Sequence, residues 1–160
     1  MAYETHNIIT TWDGPADDAI QEELKESFPY LEAARLTIAG KEGIAAQLDQ
    51  REIFSAWDMM EADRFPFPSY LDMFDYVYLA VREQLPEWSK RYPDKKFIYI
   101  YAECTAGVCF YEGYVVQNGE KIYVRDHKED GHIDLLGQLF PGYNRYFFAP
   151  FTRDFFIKRG

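Results

Sequence analysis

Two histidines and three carboxylates lie within seven residues, in the stretch Asp126-His127-Lys128-Glu129-Asp130-Gly131-His132. Imidazole and carboxylate groups bind divalent transition metals, so this stretch is the first candidate for a metal site. Polar residues that follow a strand often have the same composition without binding a metal, and we favour that interpretation for His127 and His132. The prediction is therefore no metal ligand and no cofactor.

A second set of residues has the types needed for thiol catalysis. A nucleophilic cysteine needs a neighbouring base, and His6 with Cys104 or Cys109 would supply that pair. Nothing in the spacing brings them together, and a structural histidine near a carboxylate such as Glu103 explains His6 as well. The sequence has no glycine-rich phosphate loop, no Gly-x-Ser-x-Gly elbow and no zinc-type spacing of Cys and His. We predict that the protein is not an enzyme.

The charge is strongly acidic, with a formal net value of -10 over 160 residues. A surface that binds phosphates needs clustered Lys and Arg, so direct nucleic-acid binding is not expected. Acidic clusters attract basic protein surfaces, although they also serve simply as solubilising faces. The predicted partner-binding carboxylates form two groups: Asp17, Asp18, Glu22, Glu23 and Glu26, and then Asp58, Glu61 and Asp63.

Tyrosines suggest an alternative site. Tyr99, Tyr101, Tyr114 and Tyr123, with Arg125, are predicted to share one face of a sheet. Such a face could bind a flat ligand or a nucleotide, as aromatic sheet faces do in RNA-recognition modules. The competing interpretation is that the aromatic C-terminal segment from Tyr143 to Phe156 covers these rings.

These residues are positioned by a predicted three-stranded antiparallel meander from Lys95 to Lys128. Asn118-Gly119 is typical of a tight hairpin turn and places Val115 opposite Ile122, Gly113 opposite Val124, and Tyr114 opposite Tyr123. Ala106-Gly107 is the candidate for the other turn, which would place Cys104 opposite Cys109, Ala102 opposite Tyr111, and Ile100 opposite Gly113. A slip of one residue would exchange the two faces.

The rest of the chain supplies further strands and two main helices. We predict a strand from Glu4 to Trp12, a helix from Pro15 to Ser27, strands at Ala33–Ala39 and Arg51–Met59, and a long helix that begins at Ser69. Lys41 to Gln50 is either a loop or a short helical turn. A short helix from His132 to Phe140 and a last strand around Asp154 to Lys158 complete the chain. All of this fits one domain over residues 1–160, with 143–160 an aromatic, basic segment packed on the sheet.

The compartment follows from what the sequence lacks. No apolar run is long enough to span a membrane, and the first residues do not resemble a secretory signal, so we expect a cytoplasmic protein. Cys104 and Cys109 lie close enough for a bridge in the predicted register. In a reducing compartment we expect them to be small core residues with free thiols instead.

The element order β-α-β-β-α-β-β-β predicts an α+β sandwich of ferredoxin-like type, with an antiparallel sheet and helices on one face. At Ser55-Ala56-Trp57, the helix end WSKRYPD, the strand FIYIYAE and the following FYEGYVVQNGE, the chain resembles the YubB-type ferredoxin-like family. The resemblance spans roughly Ile53 to Glu120. It implies a small accessory protein of a phage, plasmid or other mobile element, and it brings no catalytic residues.

Together these observations predict a non-catalytic acidic interaction protein. Accessory proteins of this kind include inhibitors of host defence nucleases, such as anti-CRISPR proteins and DNA mimics, and the negative charge suits that role. The expected partner is a basic protein, such as a nucleic-acid-binding effector, and neither a membrane nor nucleic acid itself. The alternative is a ligand- or nucleotide-binding module that uses the tyrosine face. The sequence gives no oligomeric state.

Overall fold

The computed structural model describes residues 3–28, 31–49, 81–145 and 157–159. Within these residues the protein is an α+β fold built on one antiparallel sheet. The strands are β1 (Tyr3–Thr11), β2 (Glu32–Ile38), β3 (Lys41–Asp49), β4 (Lys96–Thr105), β5 (Val108–Gln117), β6 (Glu120–Lys128) and β7 (Ile157–Arg159). The helices are α1 (Asp18–Ser27), α2 (residues 81–88) and α3 (Gly131–Gly137).

In the described residues the sheet has seven strands, in the order β6-β5-β4-β1-β3-β2-β7, and each neighbouring pair is antiparallel. β1 lies at the centre, between β3 and β4. The predicted first strand and first helix are confirmed. The predicted last strand is confirmed only at its end, where β7 is Ile157–Arg159, because residues 154–156 lie outside the described part of the chain. The predicted strand Arg51–Met59 and the start of the predicted long helix lie outside the described residues.

Each face of the sheet carries apolar side chains that are buried in a core of its own. On the first face, which we call the helix face, α1 contributes Ile20 and Leu24 to a core that also contains Leu85 and Trp88 near the end of α2. On the opposite face, α3 packs Leu135 and Leu136 in a second core, against strand residues that include Ile98, Ile100 and Val115. The prediction that the helices share one face is therefore wrong for α3. The meander buries side chains on both faces, as a sheet between two layers does.

Two-residue turns connect the hairpins. Ala106-Gly107 and Asn118-Gly119 all have positive φ, between 49° and 84°, as predicted for turns that follow the twist of a hairpin. A third such turn, Ala39-Gly40, joins β2 to β3. The stretch from Lys41 onward, predicted as a loop or helical turn, is therefore a strand. Alanine at the first turn position is a weak sequence signal, since residues with a Cβ rarely adopt positive φ.

The register of β6 differs from the prediction. The β4–β5 pairing is confirmed, with Cys104 opposite Cys109 and Ile100 opposite Gly113. In β6, however, Tyr123 lies opposite Val115 and Val124 opposite Tyr114, because a bulge shifts the pairing next to Val116. One extra residue exchanges the faces. Ile122 and Val124, which the predicted register placed opposite Val115 and Gly113, are 50% and 61% exposed.

Cys104 and Cys109 form a disulfide across the β4–β5 hairpin, with their Cα atoms 4.1 Å apart. The prediction that they are free thiols is wrong, although both side chains are buried in the second core as expected. No helix among the described residues combines the length and the apolar composition that crossing a membrane requires.

Candidate protein interface

Exposed carboxylates form rows on the two helices that cover the helix face. Asp18, Glu22 and Glu26 follow one another at four-residue steps along α1, and Glu83 and Glu87 do the same on α2. A step of four residues advances about 6 Å along a helix and returns to the same side. We call these five residues the helix-layer surface.

The structure divides the predicted α1 carboxylates between this surface and internal contacts. Asp17 is only 14% exposed, and its Oδ2 accepts a hydrogen bond from Lys95 Nζ at 2.8 Å. Glu23 accepts a hydrogen bond from the Tyr92 hydroxyl at 2.6 Å. Asp17 and Glu23 therefore fasten α1 to the loop before β4. The second predicted group, Asp58, Glu61 and Asp63, lies outside the described residues.

Lys95 organises the start of α1. Its ammonium also contacts Asp13 Oδ2 at 2.9 Å, so it lies between two carboxylates. The hydrogen bond from Lys95 holds the pKa of Asp13 below its ordinary value. Asp18, one residue beyond Asp17, accepts a hydrogen bond from Trp12 Nε1 at 2.8 Å and still remains exposed.

An open groove of about 960 Å³ separates the two helices near the C-terminal end of α1. Its acidic edges are Glu26 on α1 and Glu83 and Glu87 on α2. Its floor includes Trp88, whose Nε1 donates a hydrogen bond to Ser27 Oγ at 2.7 Å. This hydrogen bond ties α2 to the end of α1 beside the groove.

Basic residues also line or flank the carboxylates. Arg82 lies 3.2 Å from Glu83, and Arg91, which lines the groove, lies over the Trp88 ring. Lys25 lies 3.1 Å from Glu22, and Lys90 lies 2.7 Å from Glu87. All four side chains are well exposed, and such surface pairs contribute little to stability. A partner's Arg or Lys can therefore replace them at small cost.

At the base of the same helices, burial and the neighbouring carboxylate raise the pKa of Tyr92 to about 12. Its hydroxyl stays protonated as the donor to Glu23 over the physiological pH range. The contact between α1 and the loop before β4 is consequently insensitive to pH near neutrality.

The predicted tyrosine site does not form one surface. Tyr99 and Tyr114 are buried in the core under the helix face, with ring centroids 5.1 Å apart, and Tyr101 is partly buried beside them. Tyr123 packs against the core of the opposite face, and Arg125 pairs there with Asp134 of α3 at 2.7 Å. Tyr99 and Tyr114 share their core with apolar side chains of α1 and α2. The prediction that these five residues share a face is wrong.

A buried polar pair lies among the tyrosines. His6 Nδ1 is 2.6 Å from the Tyr99 hydroxyl, and His6 is 5% exposed. Burial, with the positive charge of Arg82, lowers the pKa of His6 to about 3. The neutral imidazole shares this hydrogen bond with the Tyr99 hydroxyl, and burial raises the pKa of that hydroxyl. Because His6 lies on the helix face and the cysteines lie on the other, the thiol pair considered from sequence is not formed.

The two histidines of the Asp126–His132 stretch are also separated. The His127 ring is exposed and stacks on Phe110, with Nε2 4.0 Å from Glu103. His132 is fully buried against Tyr111 and contacts the Arg145 carbonyl through Nε2. Among the described residues there is no group of three or more His, Cys, Asp or Glu arranged to hold a metal.

Comparisons with known proteins identify no relative: no family model, no curated protein and no solved structure matches this chain. The helix-layer surface therefore has to be interpreted from its own geometry. Sequence reasoning found its α1 half through the acidic run. It missed Glu83 and Glu87, because these lie between Arg82 and Lys90 and form no acidic run, although their four-residue spacing was available as a signal.

Proposed function

We propose that this protein is a non-catalytic acidic binding protein that docks its helix-layer surface on a basic surface of a partner protein. The observation that carries the proposal is the pair of exposed carboxylate rows on α1 and α2, of which Glu26, Glu83 and Glu87 border the groove. Regularly spaced negative charges on rigid helices present to a partner what a nucleic-acid backbone presents. The net charge of -10 adds long-range attraction to such a partner.

The partner class that fits best is a protein whose groove binds nucleic acid, such as a host defence nuclease. Its Arg and Lys side chains would replace Lys25 and Lys90 as the ion-pair partners of Glu22 and Glu87. Occupation of the groove would exclude DNA, which is the action of an anti-CRISPR or DNA-mimic inhibitor of phage or mobile-element origin. This action needs charge and shape but no bond-making chemistry.

We infer further that the fold is an extended ferredoxin-like sandwich, as the resemblance to the YubB-type family implies. The support is the antiparallel order β4-β1-β3-β2 within the sheet, with α1 connecting β1 to β2 on the helix face. In this interpretation β5 and β6 extend one edge of the ferredoxin-like unit and β7 extends the other.

The cytoplasmic location stays a prediction. The Cys104–Cys109 disulfide weighs against it, because disulfides persist mainly in oxidising compartments. Docking on a basic partner does not depend on the disulfide, which lies at the tip of the β4–β5 hairpin, on the face opposite α1 and α2.

The experiment is affinity capture from cell extract at low and high salt with a fourfold neutral variant, Glu22→Gln, Glu26→Gln, Glu83→Gln and Glu87→Gln. We expect the wild type to retain a nucleic-acid-binding protein at low salt and to lose it at high salt. The fourfold variant should lose it at both.

The matched control removes the same four charges elsewhere, through Asp94→Asn, Glu103→Gln, Glu112→Gln and Asp130→Asn. If binding depended only on net charge, both variants would fail equally. We expect the control to retain most of the partner. Equal loss in the two variants, or no salt-sensitive partner for the wild type, would refute docking through the helix-layer surface.

A further inference from the structure

β6 is the edge strand of the sheet in the part of the chain that the structure describes. Seven of its nine residues are exposed and the other two are partly buried. Among the side chains that the structure describes, Val124 and Ile122 are the most exposed large apolar ones, at 61% and 50%. An exposed edge with apolar side chains is a template for pairing with another strand.

A second copy of the same strand is an occupant that can be tested by its symmetry. Residues that face each other in an antiparallel pair point to the same face of the sheet, and successive residues alternate between the two register shifts of β6, from Tyr123 to Arg125. A twofold axis normal to the sheet therefore has to place one residue of β6 opposite its own copy. Each choice of the residue on the axis defines one register of the pair.

Charge separates these registers. An axis at Tyr123 would place Glu120 opposite Asp126 and Lys121 opposite Arg125, and both are like-charge pairs. An axis at Arg125 or Asp126 would place that residue's charge opposite itself. Like charges directly opposite each other destabilise a sheet. An axis at Ile122 avoids this, but pairs only the first half of β6.

An axis at Val124 places no two carboxylates and no two Lys or Arg side chains opposite each other, and it sets the two register shifts of β6 opposite one another. Glu120 then faces Lys128 of the second copy, twice by symmetry, and Tyr123 faces Arg125. Val124 meets its own copy, with Ile122 diagonal to it, so the exposed apolar side chains are brought together. Lys128 lies 3.4 Å from Asp130 in an exposed pair, which is readily exchanged.

We propose that two copies of this protein pair through β6 in an antiparallel dimer centred on Val124, giving one sheet that runs through both copies. Lysine on an edge strand often prevents pairing. In this register Lys128 instead favours pairing, because it lies opposite Glu120 of the second copy. A twofold axis normal to the sheet also keeps α1 and α2 of both copies on the same side.

Crosslinking tests the register directly. The full-length variant Val124→Cys should form a covalent dimer under mild oxidation with copper phenanthroline, since its two sulfurs would be cross-strand neighbours. The control is Ile122→Cys, which is similarly exposed but lies about 13 Å from its own copy in this register. It should stay monomeric, because Cα atoms more than about 7 Å apart cannot be bridged. Crosslinking of both variants equally, or of neither, overturns the proposal.

Sedimentation of the protein without added cysteines tests the charge pairs. Glu120→Lys should raise the dimer dissociation constant about tenfold, because two opposite-charge pairs become like-charge pairs. The double variant Glu120→Lys with Lys128→Glu should restore it. A wild type that is monomeric up to about 1 mM, or a Glu120→Lys variant that dimerises as well as the wild type, overturns the proposal.

Discussion

Two carboxylates near the start of α1 have different roles. Asp17 immediately precedes the helix, and Glu22 lies within it. Asp17 is 14% exposed and bound to Lys95, whereas Glu22 is 67% exposed and contacts only the flexible end of Lys25 among the described side chains. A buried hydrogen-bonded charge pair is costly to break, and an exposed one is not. The acidic run in the sequence could not distinguish them, because the distinction depends on a lysine almost eighty residues away.

Substitution separates the two roles. Asp17→Asn should lower the free energy of unfolding by about 1 to 2 kcal/mol, since Lys95 loses a charged partner. Glu22→Gln should change it by less than about 0.5 kcal/mol. Urea denaturation measures both. An Asp17→Asn variant as stable as the wild type would show that this contact does not hold α1.

His6 predicts a pH dependence of stability. Its folded pKa of about 3 is below the ordinary value of 6.5, so the unfolded chain binds a proton that the folded protein rejects. His6 therefore destabilises the fold progressively as pH falls from 6.5 towards 3, by about 1.4 kcal/mol per pH unit, with full stability above 6.5.

The matched variant is His6→Gln, which is neutral at every pH and keeps a hydrogen-bonding group for Tyr99. Between pH 6.5 and 5 the unfolding free energy of the variant should fall less steeply than that of the wild type. The difference in slope approaches about 1.4 kcal/mol per pH unit, which corresponds to one bound proton. Identical slopes would mean that His6 titrates normally and is accessible to water.

At the scale of elements, the close contact between β4 and β5 depends on Gly113. A Cβ at this position would lie 1.8 Å from the Tyr99 carbonyl oxygen, so the strands would have to separate. Gly113→Ala should lower the free energy of unfolding by about 3 kcal/mol. Gly137→Ala is the control, because a Cβ there meets nothing within 4 Å. Comparable stability of the two variants would contradict the observed β4–β5 register.

The elements also show what the sequence could predict. The alternation of apolar residues and the Asn118-Gly119 turn were sufficient to predict the β4–β5–β6 meander. The apolar stripe was sufficient to predict α1. The bulge beside Val116 was not predictable, since nothing local distinguishes it from continued pairing, and one extra residue moved Tyr123 and Arg125 to the other face. The predicted tyrosine site failed for that reason, and also because α1 and α2 need the apolar face that Tyr99 and Tyr114 complete.

For the whole molecule, the sheet separates two surfaces with different chemistry. The helix face carries the acidic rows of α1 and α2, and the β6 edge carries alternating charges around Val124. Pairing through β6 would present two helix-layer surfaces on one side of a common sheet. If docking is as proposed, this arrangement makes it bivalent and increases its avidity.

The most direct test of docking is competition with DNA on a purified RNA-guided nuclease captured by the protein. The anisotropy of a fluorescent duplex bound to the nuclease is followed while the wild type, the fourfold neutral variant or the matched control is added at low salt. We predict that the wild type and the control displace the duplex and that the fourfold variant is at least tenfold weaker, because four surface charges at the contact each contribute several tenths of a kcal/mol. A duplex that stays bound at saturating wild type, or is displaced equally by the fourfold variant, would contradict the account.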